Sequence, residues 1–149
     1  MDAQTRLARY NRVMAFQFPA LIERYEQELD LSSEEAAQLF VGVKQFLYIC
    51  GFEREKGPWS PPEKIDAGWH EFILFTRQYH EFCIEMFGRF IHHTPYSSST
   101  PEEVRGNSQK TREMAEALFG PLNLNEEHWG PSIKVGCSAC GGPCNDCGD

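Results

Sequence analysis

The sequence predicts an all-α domain: a compact bundle of four to six helices over residues 1–131, followed by an irregular Gly/Cys-rich tail over 132–149. Three observations carry this. Apolar residues recur at spacings of three and four, the signature of a helix with one buried face. Two Ser/Thr-x-x-Glu boxes mark helix starts. No segment shows the strict alternation of a half-buried strand.

The first helical region, about 3–29, carries Leu7, Tyr10, Val13, Met14, Phe18, Leu21, Ile22 and Tyr25 on one stripe. Pro19 interrupts it, because proline lacks the backbone donor and clashes with the preceding turn. Ser32 and Glu35 form the first capping box. The helix they open runs through Leu39, Phe40, Val43, Phe46, Leu47 and Cys50 to Gly51, placed as its C-terminal cap. The prolines and glycine of "EKGPWSPPEK" at 55–64 make a loop. A third helical region spans about 62–87 and ends at Gly88. Thr100, Pro101 and Glu103 open another, which Gly120-Pro121 stops.

Composition narrows the function. The chain has 149 residues and a formal charge of −8, with no basic run, which excludes a general phosphate-backbone binder. No nucleic-acid partner is expected. No apolar stretch approaches eighteen residues and the first residues lack a signal-peptide core, so the expectation is a cytoplasmic protein without a membrane partner. In that compartment thiols stay reduced, and clustered cysteines point to metal or redox roles.

Two clusters carry the chemistry. The stretch "GWHEFILFTRQYHEFCIEMFGRFIHHTPY" at 68–96 holds four of the five histidines. Asp66 and His70 are four apart and share a helix face, the spacing of a carboxylate orienting an imidazole or of two ligands to one ion. On an unbroken helix, His70 and Cys83 would stand about 20 Å apart. A shared site therefore requires a break, and Phe75-Thr76 is its place. With the break, Cys83 and one histidine of the pair after Gly88 can approach His70.

"DAGWHEFILFTRQYHEFC", with His93 ten residues beyond, resembles the core motif of the glycine-rich domain-containing protein-like family through Asp66, Trp69, His70, Leu74, Tyr79 and Cys83. Phe72 stands where that family often has a second histidine, and Thr76 where it often has proline. The resemblance implies an all-helical fold and a buried polar cluster of Asp66, His70, Cys83 and His93. This cluster either binds an ion or fixes helix packing. It implies no reaction. His80 and His92 are read as surface residues, and His93 as the better candidate of its pair.

The bland readings stand beside these. A histidine next to a tryptophan on an apolar helix commonly serves as a hydrogen-bonded boundary residue. A Cys83–His–Asp66 nucleophile is disfavoured, since a mid-helix thiol among Phe and Met gains nothing that lowers its pKa. Cys50 reads as a small core residue. Trp59 and Trp129 read as staples holding loops to helices. The acidic pairs at 34–35, 102–103 and 126–127 suit helix starts.

In the tail, Cys137, Cys140, Cys144 and Cys147 form C-x2-C-x3-C-x2-C. Four thiolates suit tetrahedral zinc, and soft sulfur equally suits Cu(I) or an iron–sulfur cluster. The three-residue gap is shorter than in zinc ribbons, though Gly141, Gly142 and Pro143 permit a tight reversal. The function expected is a non-enzymatic metal-binding accessory or interaction protein, zinc first among the ions, with a protein partner. The alternatives are an enzyme using the His/Cys cluster with a bound ion, and a modified-peptide precursor whose Cys-rich tail is processed.

Overall fold

The computed structural model describes residues 1–94 and 100–130. Among them lie seven α-helices and no strand: α1 (Ala3–Ala15), α2 (Pro19–Glu28), α3 (Ser33–Phe52), α4 (Glu63–Leu74), α5 (Thr76–Phe87), α6 (Pro101–Phe119) and the single turn α7 (Glu126–Trp129). The all-α class is as the apolar spacing predicts. The count exceeds six because two of the predicted regions each divide in two and α7 adds one turn.

Pro19 sits at the first position of α2, where its missing N–H costs nothing, so the chain turns between α1 and α2 rather than bending one helix. Lys44 fills that corner from α3. Its ammonium donates to the carbonyls of Met14 (2.8 Å) and Phe16 (2.9 Å) and lies 4.7 Å from the centre of the Phe40 ring. Burial with no carboxylate neighbour lowers its pKa to about 8. The boxes at Ser32/Glu35 and Thr100/Glu103 are both closed by reciprocal hydrogen bonds.

Helix α3 is the axis of the bundle. From Leu39 to Ile49 nearly every side chain is buried, and α1, α2, α4, α5, α6 and α7 all pack on it. Phe16, Phe40, Phe72 and Phe82 stack and tilt against one another at the centre. Helices α3 and α4 pack closely at Gly68. A Cβ on Gly68 would stand 2.9 Å from Val43 Cγ2 and 3.1 Å from Leu39, and Tyr25 spends its hydroxyl on the Gly68 carbonyl at 2.7 Å. Gly51 does not cap α3. The helix continues to Phe52, and Gly51 makes room for the Phe87 ring, 2.4 Å from where a Cβ would stand. Packing against α5, not helix termination, explains that glycine. Gly88 does cap α5, in the left-handed conformation at φ 74°.

The proline loop is tied down from α6. The backbone N–H of Ser60 donates to Thr111 Oγ1 (2.9 Å), and Lys110 donates to the Gly57 carbonyl (3.1 Å). Trp59 donates its indole N–H to Glu53 and Trp129 donates to Gln45, so both tryptophans do hold loops to helices. No described helix is long and apolar enough to cross a membrane.

Candidate metal centre

The break between α4 and α5 falls at one residue. Phe75, at φ −83° and ψ 68°, leaves the helical region and Thr76 restarts it; the Thr76 side chain makes no cap. The reason is apolar. Phe75 packs its ring 4.9 Å from Phe18, while Tyr79, Phe82 and Cys83 turn the inner face of α5 into the core. With α5 redirected, the segment after Gly88 runs back along α4 and brings His93 to Asp66 and His70.

These three form a tight group. Nε2 of His93 lies 2.8 Å from Nε2 of His70 and 2.8 Å from Oδ1 of Asp66, and His70 Nε2 is 3.6 Å from Asp66 Oδ2. His93 and Asp66 are mostly covered, whereas the His70 side chain is 54% exposed. The cluster is therefore a surface-edge site and not a buried one. Trp69 covers His93 from below, with ring centres 4.5 Å apart.

Cys83 stands outside the group. It lies seven residues into α5, about 10 Å along the helix from the break, on the core-facing side and fully buried. Burial pushes its thiol pKa up, which disfavours a thiolate ligand or nucleophile. The Ile91 backbone and the Tyr79 hydroxyl beside it act against that rise. The Ile91 carbonyl accepts from the Tyr79 hydroxyl at 2.6 Å. Tyr79 in turn accepts from the Trp69 indole N–H at 2.9 Å. Trp69 and Tyr79 fix the backbone two residues before His93. They hold the site in place, while the converging atoms belong to Asp66, His70 and His93.

His80 and His92 are both exposed and outside the group, as their sequence positions imply. Cys50 is partly buried at the edge of the core, with its thiol pushed up to about 12 by burial. Cys137, Cys140, Cys144 and Cys147 lie outside the described residues.

A cleft of about 430 Å³ opens beside Asp66 and His93. Trp59, Trp69 and Phe90 form its apolar walls, and Arg54 and Arg89 line it as well. Neither arginine was singled out by sequence reasoning. Both fall in segments read as loop or helix end, and only the folding of the proline loop over residues 89–94 brings them together.

With this geometry in hand, the comparisons with known proteins place the chain. The profile of the family described as UCP032817-like matches residues 8–114. The chain belongs to the UCP032817-like family. The matched span holds the latter part of α1, all of α2 to α5, most of α6 and all three residues of the Asp66–His70–His93 group, and it stops before the cysteine tail. No curated protein and no solved structure matches the chain.

Proposed function

We propose that the domain binds one divalent transition-metal ion through Asp66, His70 and His93, with zinc the first candidate and the open side of the ion facing the cleft. The observation that supports this is the convergence on His93 Nε2. A ring nitrogen offers either one N–H or one lone pair. It cannot make two linear hydrogen bonds, yet it lies 2.8 Å from both His70 Nε2 and Asp66 Oδ1. An ion removes the conflict. Zinc bonds of about 2.0–2.2 Å put neighbouring ligands about 3–3.5 Å apart, and the three observed separations of 2.8, 2.8 and 3.6 Å bracket that range.

Nitrogen and carboxylate donors suit zinc and iron(II) better than copper(I), which prefers sulfur. The soft-metal reading stays with Cys137, Cys140, Cys144 and Cys147, whose spacing supports a second, separate site in the accessory-protein reading. A metal enzyme is the second reading, and one feature favours it: three protein ligands beside a cleft leave a coordination position free, as catalytic sites do and closed structural sites do not.

Metal analysis of the protein purified without added metal, as the full chain and as a chain ending at Pro131, tests the proposal. One equivalent retained after truncation and lost in Asp66→Asn and His70→Ala supports the ligand set. Zinc titration with no binding at micromolar concentration in the truncated chain would overturn it.

A further inference from the structure

We infer that the cleft beside Asp66 and His93 accepts a small aromatic carboxylate, whose carboxylate completes the coordination of the bound ion and pairs with Arg54 or Arg89. This rests on the metal reading above and adds the class of ligand.

The charges facing the cleft are uneven. Arg54 and Arg89 have no carboxylate partner among the described ion pairs, in a chain whose net charge is −8. Arg89 spends one guanidinium nitrogen on the carbonyls of Cys50 and Gly51 at the end of α3, which fixes its place while leaving its other donors toward the cleft. Among the described residues, the one acidic side chain lining the cleft is Asp66, which a metal ion consumes. A divalent ion against a single carboxylate leaves net positive charge, so the loaded cleft presents an ion and two guanidinium groups to its occupant. A planar, bidentate acceptor is what a guanidinium fork recognises best.

The walls set the rest of the ligand. Trp59 and Phe90 are only part-buried, Trp69 closes the floor, and prolines flank Trp59. A volume of about 430 Å³ lies at the lower end of small-molecule sites. Aromatic surfaces with a few convergent polar groups favour a flat ring carrying its charge at one end. Without the ion, Asp66 faces the same space and repels an anion. Binding is therefore coupled to the metal: ion first, carboxylate second.

The test uses the full-length chain with Cys137→Ser, Cys140→Ser, Cys144→Ser and Cys147→Ser, so that cobalt(II) loads only the Asp66–His70–His93 group and its visible spectrum reports that coordination shell; it is titrated with benzoate and, as an uncharged control, benzyl alcohol. The expected result is a saturable spectral change with benzoate and none with benzyl alcohol. Of Arg54→Gln, an exposed position, and Arg89→Lys, which keeps a donor for the α3 carbonyls, at least one should weaken benzoate about tenfold, and both should leave cobalt affinity unchanged. Failure to bind cobalt at Asp66, His70 and His93 overturns the metal reading and this inference together. Cobalt bound without any response to benzoate overturns the inference alone. So does an equal response to benzyl alcohol, or benzoate affinity unchanged in both arginine variants.

Discussion

The imidazole nitrogens of His70 and His93 lie 2.8 Å apart, although twenty-three positions separate them in the chain. One belongs to α4 and the other to an irregular segment, so the pair exists only because α5 turns back. Removing either partner should abolish the proposed centre while sparing the fold. The His70 side chain is more than half exposed. His70→Ala is expected to weaken zinc more than about hundredfold, beyond the range for losing an outer-shell group. The metal-free thermal midpoint should stay within a few degrees of wild type. Isothermal titration with zinc, alongside scans with and without the ion, checks both. A bound ion raises the wild-type midpoint by mass action, and the variant should lose that rise.

Tyr79→Phe separates positioning from ligation. Its hydroxyl donates to the Ile91 carbonyl at 2.6 Å and accepts from Trp69 at 2.9 Å, all of them buried. Deleting it leaves two buried polar groups unpaired, a loss of about 1–3 kcal/mol. It also frees the backbone that presents His93. Chemical denaturation should show the stability loss, and zinc affinity should fall about 10–100-fold with the same stoichiometry. Loss of stability with full zinc affinity would limit Tyr79 to packing.

Much of the helical frame was legible in the sequence because its signals are local. Ser32/Glu35, Thr100/Glu103, Pro19 and Gly88 each act within one turn. Asp66 and His70 share a helix face by spacing alone. The approach of His93 was legible only conditionally, because it depends on Phe75 leaving the helix to pack on Phe18 across the core. Cys83 shows the limit. Its chemistry suits a ligand, but the face it occupies is set by Tyr79 and Phe82 beside it. Gly51 likewise has a cap's sequence position and a packing role, which only the Phe87 ring reveals. Arg54 and Arg89 carry no local signal at all, since their shared cleft is made by two loops.

The two packing glycines should respond differently to alanine. Gly68 faces Val43 and Leu39, both buried and with no room to retreat. Alanine there is expected to cost about 1–3 kcal/mol in overpacking, against roughly 0.5–1 kcal/mol regained from helix propensity. Gly51 faces a Phe87 ring that is only part-buried and can swing outward. Gly51→Ala should therefore lose less than Gly68→Ala in urea unfolding. The reverse order would mean that α5 cannot yield where α3 and α4 can.

His128 supplies a pH dependence. It was not singled out from the sequence, yet it is buried on α7 between α3 and α4, with Nδ1 near Gly42 and without a hydrogen-bond partner among the described residues. Burial lowers its pKa from 6.5, and the neighbouring Lys64 charge adds to the effect while Glu127 opposes it. Above 6.5 the ring is neutral in both folded and unfolded chains, so it contributes no pH dependence. As pH falls through 6.5 the unfolded chain takes up a proton that the folded one refuses, and stability drops by at most about 1.4 kcal/mol per pH unit. The loss ends once pH passes below the depressed folded value. His128→Met fills the site without a titrating group. The difference in unfolding free energy between variant and wild type should be constant from pH 8 to 7 and shift toward the variant from pH 6.5 to 5. A difference that stays flat over the whole range would show that His128 keeps its ordinary pKa in the fold.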